Sequence, residues 1–153
     1  AKKLGVRLIK VKEKGYGSTL IEGINHSSNE YIVMGDADDS YNFNEIDTFL
    51  EKLEEGYDLV VGNRFKGGIK RGAMPPLHRY LGNPILSGLG RILFKTPIGD
   101  FHSGLRAFRK SSIQKINLRT RGMEFASEMI VKASLFKLKI TEVTIILYPD
   151  GRS

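Results

Sequence analysis

The sequence predicts an α/β domain: a mostly parallel sheet with helices on both faces. Two observations carry this. Over residues 6–64, short apolar runs alternate with amphipathic stretches in the order strand, helix, strand, helix, strand, and short crossovers of this kind build parallel sheets covered by helices. Each apolar run also ends in a polar loop, the place where such sheets bind ligands. With 153 residues and 41% hydrophobic content, the chain is long enough for one core.

Val6 to Val11 reads as the first strand, between Gly5 and the charged Lys12-Glu13-Lys14 turn. Ser18 is placed to cap a helix whose apolar residues Leu20, Ile21 and Ile24 share one face. Glu30 to Met34 is a second strand, followed at once by Gly35-Asp36-Ala37-Asp38-Asp39. Asn44 is placed to cap a helix with Ile46, Phe49, Leu50 and Leu53 at helical spacing, and Gly56 ends it. Asp58 to Val61 is a third strand, closing in Gly62-Asn63-Arg64. Beyond the Gly67-Gly68 break and Pro75-Pro76, Leu77 to Phe94 reads as helical, with Pro84 expected to break or kink it. A loop from Gly99 enters a strand near Arg106. A helix over Met123 to Leu135 and a strand over Ile140 to Tyr148 complete the order.

Charge is distributed unevenly. Lys+Arg 24 against Asp+Glu 17 gives a net charge of +7. Between Leu59 and Gly99 there is no acidic residue, while Arg64, Lys66, Lys70, Arg71, Arg79, Arg91 and Lys95 all fall there. That segment therefore suits phosphates or an anionic surface. Nucleic acid fits poorly, because Phe65 is the single aromatic near the early cations and no stacking motif appears. The absence of cysteine excludes disulfides, thiol nucleophiles and thiolate metal sites. No apolar run reaches membrane-spanning length. The apolar residues of 77–94, interrupted by Arg79 and Arg91, fit either an interfacial helix or one packed on the sheet.

Asp36 and Asp38 stand one residue apart after a buried strand. Hard oxygen ligands at that spacing suit Mg²⁺ or Mn²⁺, although aspartates are also common in solvated turns. Arg64, just past the third strand, can hold a phosphate through its planar fork. His26, His78 and His102 lack the company a zinc site needs and read as hydrogen-bonding residues.

Several stretches together resemble family 2 glycosyltransferases of the polyprenyl-phosphate branch, which includes dolichol-phosphate mannose synthase. They are Lys14-Gly15-Tyr16-Gly17, Met34 to Tyr41, Gly62-Asn63-Arg64-Phe65, His78 to Pro84, Asp100 to Arg106, Gly122 to Phe125, Thr141-Glu142-Val143 and Tyr148 to Ser153. The resemblance implies a nucleotide-diphospho-sugar transferase fold of the GT-A type and inverting transfer of a sugar from a nucleoside diphosphate sugar to a polyprenyl phosphate. It assigns metal binding to Asp36 and Asp38, donor binding to these with Gly15 and Arg64, and catalytic roles to Asp100 and Arg64. Acceptor contacts are implied for Arg79, Asn83, Ser103 and Arg106. Asp100 is implied either as a base or as an orienting group. The resemblance makes 66–98 an acceptor- and membrane-facing insertion and places the protein at a membrane, on its cytoplasmic face. The family's first strand and base-binding loop have no counterpart in these residues. The chain therefore reads as a partial catalytic domain, expected to be inactive alone. A sugar-phosphate nucleotidyltransferase and a non-catalytic anionic-lipid module are the alternatives. Asn63, where mannosyl-transferring relatives usually carry serine, leaves the sugar open.

Overall fold

The computed structural model describes residues 5–151. Residues 1–4 and the Arg152-Ser153 end of the last motif lie outside them. Among the described residues four strands form one sheet: β1 (Tyr31–Met34), β2 (Leu59–Asn63), β3 (Arg106–Arg109) and β4 (Ile140–Thr144), in the spatial order β1-β3-β2-β4. β2 is buried at every residue, as the apolar run Leu59-Val60-Val61 suits in a central strand. Helices α1 (Tyr16–His26), α5 (Lys110–Lys115) and α6 (Phe125–Leu135) share a core with Leu59, Val61 and Phe108, while α2 (Ile46–Glu54) packs through Phe49 and Leu53 against Val60 and Ala107. Alternate residues of the strands thus feed opposite faces, and helices cover both, as expected of the α/β class.

The pairing corrects the expectation of a mostly parallel ladder. β1, β2 and β4 run in one direction, but β3 lies antiparallel between β1 and β2, and only β2 and β4 pair in parallel. The reason is topological. The chain leaves the carboxyl end of β2, makes its long excursion through 64–105 and returns to the same end, where the Gly62 amide donates to the Leu105 carbonyl at 3.0 Å. The next strand must then run backwards. This reversal drops the 99–105 loop beside the loops that follow β1 and β2.

Val6–Val11 is not a strand. Its residues have no ladder among the described strands, and Val6 and Leu8 are exposed; apolar β-branched sequence without a partner for its N–H and C=O groups does not make a strand. Ser18 does not cap α1. Gly15 does, at φ 145°, and the Arg121 carbonyl accepts from the Gly17 amide at 2.8 Å and from the Ser18 amide at 3.3 Å. A backbone carbonyl thus satisfies orphan donors of the first turn, and a Cβ on Gly15 or Gly17 would collide with the 120–121 backbone. Asn42, not Asn44, caps the turn leading into α2, accepting from the Asn44 amide at 3.1 Å.

Asn63 caps the short α3 (Arg64–Gly67), accepting from the Lys66 amide at 2.9 Å. A π-helical turn over His78–Gly82 runs directly into α4 (Asn83–Phe94). Pro84 falls in the first turn of α4, directly after this widened turn, in which the Asn83 amide bonds back to the His78 carbonyl; a π-helical turn is one way a helix accommodates a residue without an N–H. α4 meets the body through its small residues: Ser87 and Gly90 are buried, the Phe101 ring fills the space over Gly90, and Ser87 Oγ accepts from the Phe101 amide at 3.2 Å. Its large apolar residues turn outward, with Ile92 76% and Leu93 71% exposed. β4 ends at Thr144, earlier than the sequence suggests, because the chain then bends so that Leu147 bridges to both Tyr41 and Ile69.

Candidate functional site

An open cavity of about 770 Å³ lies beyond the carboxyl ends of β1 and β2. Asp36, Asp38, Arg64, Asn83 and His102 line it, with Leu77, His78 and Leu86 from the excursion forming a further wall. Four residues singled out by sequence therefore share one space. Asp36 also lines a neighbouring cavity of about 560 Å³ with Gly15 and Tyr16, so the two concavities meet at this carboxylate.

The aspartate loop is built from both sides. Ser40 donates to Asp38 Oδ1 from its amide at 3.2 Å and from its hydroxyl at 2.5 Å. The Tyr16 hydroxyl reaches Asp36 Oδ1 at 3.3 Å. Gly104 lies so close to Asp36 that a Cβ there would overlap the carboxylate, and its amide donates to the Tyr41 hydroxyl at 2.9 Å. Burial raises the Asp36 pKa and the charge of Asp38 raises it further, against smaller opposing effects of Tyr16, Arg64 and Arg106. Burial, with the nearby Asp36 charge, pushes Tyr16 up to about 12, which keeps it a proton donor to Asp36 at neutral pH. A half-buried carboxylate held against a like charge is what a divalent cation relieves. Among the described residues no cluster of three or more metal-ligating side chains occurs. A two-carboxylate set fits a hard ion that takes its remaining ligands from water and substrate phosphate, as Mg²⁺ commonly does.

Arg64 and Asp100 form a buried pair. Arg64 Nε meets Asp100 Oδ2 at 2.7 Å, Nη2 meets Oδ1 at 2.8 Å, and the Arg64 amide adds a third bond to Oδ2 at 3.1 Å. Asp100 is 0% exposed and Arg64 7%. Burial works against the Arg64 charge, but the bonds to Asp100 and its field outweigh this and raise the pKa. Both carboxylate oxygens of Asp100 are engaged by Arg64, and it is Arg64 that borders the cavity.

The other acceptor-side residues separate. Asn83 borders the cavity, with Nδ2 at 3.6 Å from Met74 Sδ. Arg79 does not; its guanidinium lies over the Tyr80 ring at 5.3 Å. Ser103 is buried, and its carbonyl accepts from Arg106 Nε at 2.9 Å. Arg106 is wholly buried, and its remaining nitrogens donate to the Ala126 and Phe101 carbonyls, each at 2.7 Å. Burial lowers its pKa to about 10, so it stays charged at neutral pH. In this arrangement Arg106 clamps the 101–103 loop onto α6 and does not face the cavity. That geometry assigns it a scaffold contact where the sequence suggested an acceptor contact.

In the sequence, Tyr41 and Glu142 carry no role of their own, although both fall in the family-like stretches quoted above, and His102 reads only as a hydrogen-bonding residue. His102 borders the cavity, its Nε2 lies 3.3 Å from Ser127 Oγ, and burial lowers its pKa. Tyr41 and Glu142 act across 63 and 79 residues of chain, and no local pattern announces such partners.

Residues 1–117 match the family described as Glycosyl transferase family 2. Among curated relatives, the "Low-salt glycan biosynthesis hexosyltransferase Agl6" of Haloferax volcanii is 37% identical over 95% of the chain and 35% of its own length. The "Dolichyl-phosphate hexose transferase" of the same organism is 29% identical over 95% of the chain and 62% of its own length. The chain thus spans between about a third and two thirds of the length of these relatives. Among solved structures, glucosyl-3-phosphoglycerate synthase of Mycobacterium tuberculosis, in complex with Mn²⁺, UDP and glucosyl-3-phosphoglycerate, aligns with a TM-score of 0.65 at 16% identity, over 95% of this chain and 50% of that one. The same enzyme with Mg²⁺ and UDP aligns equally well, with a TM-score of 0.65, so the fold is that of these nucleotide-sugar transferases. On the match across residues 1–117, the chain belongs to glycosyl transferase family 2.

Proposed function

We propose that this chain forms part of the catalytic domain of an enzyme that transfers a hexosyl group, with inversion, from a nucleoside diphosphate sugar to a polyprenyl phosphate at a membrane surface. The observation that carries the reading is one cavity bordered by Asp36, Asp38 and Arg64 on the sheet side and by Leu77, His78, Asn83 and Leu86 on a largely apolar opposite side. Two carboxylates and an arginine suit a metal diphosphate, and the apolar opposite wall suits the hydrocarbon end of a lipid acceptor, with the Asn83 amide near its head. The relative named a dolichyl-phosphate hexose transferase and the neighbour holding Mn²⁺ and UDP support the two halves of this reading separately.

Asp36 and Asp38 would hold a Mg²⁺ or Mn²⁺ ion, which when bound neutralises the diphosphate as it leaves. Arg64, fixed in one orientation by Asp100, presents its remaining guanidinium donors to a phosphate in the cavity. The acceptor needs little deprotonation, since a phosphate monoester has its second pKa near about 6. Its oxygen forms the new bond to the anomeric carbon as the bond to the diphosphate breaks on the opposite face, which gives inversion. Asp100 then serves as an orienting group rather than a base. The decisive assay offers UDP- and GDP-linked hexoses with Mn²⁺ and either a polyprenyl phosphate or 3-phosphoglycerate to the full-length protein. Transfer to the lipid phosphate is the expected result; transfer to the soluble acceptor alone overturns the lipid half of the proposal.

The 66–98 segment is the proposed membrane contact. Tyr80, Ile85, Leu86, Leu89, Ile92 and Leu93 are exposed there, the segment carries no acid, and no helix among the described residues is long and apolar enough to cross a bilayer. Such a surface lies in the interface and is drawn to anionic lipid by roughly 1 kcal/mol per basic residue. Replacing Arg79 and Arg91 by Glu is expected to reverse that attraction and release the protein from phosphatidylserine-containing vesicles. Co-flotation as strong as that of the unaltered protein would rule the contact out.

A further inference from the structure

We propose that Glu142 is a positioning residue that sets the Arg64–Asp100 pair against the cavity; its consequence for transfer rests on the function proposed above. Glu142 pairs with Val61 in the parallel ladder, one strand over from the loop that carries Asp100. Its side chain is 6% exposed, and both oxygens are in use. Oε1 accepts from the Gly99 amide, from the Asp100 amide at 3.2 Å and from Asn63 Nδ2 at 2.9 Å. Oε2 meets Lys66 Nζ at 2.9 Å.

These partners are not arbitrary. Asn63 and Lys66 flank Arg64 in sequence, and Gly99 and Asp100 carry the other half of the pair. One carboxylate thus ties the end of β2 and the first turn of α3 to the start of the 99–105 loop. The Arg64–Asp100 bond closes the same ring from the far side. Residue 99 is a glycine where a Cβ would stand 3.2 Å from Asn63 Nδ2 and 3.4 Å from Glu142 Oε1, so a side chain there would press on this contact and move it by a few tenths of an ångström. A carboxylate in so little water is retained only with its hydrogen bonds made, and here they are made almost entirely to the two segments that must be registered. Without them, Asp100 keeps its bond to Arg64, but the pair is free to shift together relative to Asp36 and Asp38.

Two variants separate positioning from simple scaffolding. Glu142→Gln keeps an oxygen for the Gly99, Asp100 and Asn63 donors and loses only the ion pair to Lys66, whose side chain is 63% exposed and free to turn to water. Glu142→Ala loses everything. In the full-length protein, Glu142→Ala is expected to lower kcat on the order of tenfold to a hundredfold, as a shift approaching 1 Å would, with donor KM little changed, and Glu142→Gln is expected to recover most of the loss. A readout independent of transfer is the hydrogen exchange of the Arg64 Nε–H, seen by nitrogen-15 NMR and assigned by its disappearance in Arg64→Lys. It should accelerate about tenfold or more in Glu142→Ala and stay near the original rate in Glu142→Gln. Exchange within twofold of the unaltered protein in Glu142→Ala overturns the positioning role. If the unaltered protein transfers no sugar, the proposed function falls, and the exchange measurement alone decides the role of Glu142.

Discussion

Asp100→Ala is expected to destabilise the fold by about 3–5 kcal/mol, because it leaves the Arg64 guanidinium buried without its counter-charge. For a domain of this size that corresponds to a fall in Tm of roughly 10 °C or more. Sugar transfer should be lost with it, since Arg64 then loses the two-point bond that fixes its fork and keeps only its contact with Tyr41. The double variant Arg64→Met with Asp100→Leu distinguishes the two effects. An apolar pair of similar volume removes the unpaired charge, so most of the stability should return while transfer stays absent. Thermal denaturation of the three proteins, beside the transfer assay, reads both. A single Asp100→Ala protein as stable as the unaltered one would mean that the pair does not hold the site together. Retained transfer in the apolar double variant would show that Arg64 does not contact the reacting phosphates.

Asp38→Asn is expected to cost on the order of a hundredfold or more in transfer, with the fold intact, since Asn keeps an oxygen for the Ser40 donors. The accompanying pH behaviour has a definite sign. Burial, and then the Asp38 charge, raise the Asp36 pKa. In the metal-free protein the neutral form of Asp36 is therefore the better tolerated one. Its contribution to stability is greatest at low pH and is lost as pH rises from the ordinary carboxylate range through the raised value. Cation binding needs the charged form, so Mn²⁺ affinity should fall as pH drops through that same value. Removing the Asp38 charge should move this loss of affinity to lower pH while weakening binding throughout. Mn²⁺ titrations of both proteins across pH 4 to 8, by calorimetry, supply the check; an unchanged affinity profile in Asp38→Asn would place the ion elsewhere.

Much of this arrangement was legible from sequence where a signal is local. The third strand, expected over Asp58–Val61 and found at Leu59–Asn63, is legible because its apolar run Leu59-Val60-Val61 suits burial on both faces. Asp36, Asp38 and Arg64 read as site residues because each directly follows a strand, and position along a strand is countable. The direction of β3 was not legible, since it depends on where a long excursion returns and not on what β3 contains. Val6–Val11 has strand composition, yet composition does not supply a neighbour to bond with. Arg106 illustrates a further limit. An arginine six residues after Asp100 looks available for phosphate, but each of its three side-chain nitrogens donates to a carbonyl within the fold. Glu142 is the reverse case, an acid in a strand with nothing nearby in sequence to indicate that its partners lie at residues 63, 66, 99 and 100.

The segment after β4 fastens several loops in a few residues. The Leu147 amide bonds to the Gly68 carbonyl and its carbonyl to the Lys70 amide, both at 3.0 Å; the Tyr148 amide bonds to the Ser40 carbonyl at 3.0 Å and the Gly151 amide to the Asp38 carbonyl at 2.8 Å. Residues 145–151 therefore act as a ruler laid across the mouth of the cavity, with the aspartate loop at one mark and the root of the 66–98 excursion at another. Distances along a ruler are fixed by residue count. A single inserted or deleted residue between Ile145 and Gly151 would move every mark beyond it by about 3.3 Å, a displacement that the two loops cannot both follow. Variation in length is tolerable in the excursion, whose exposed Gly72 faces no such constraint, and intolerable here. The spacing of this short stretch, more than the identity of most of its side chains, is what the site depends on.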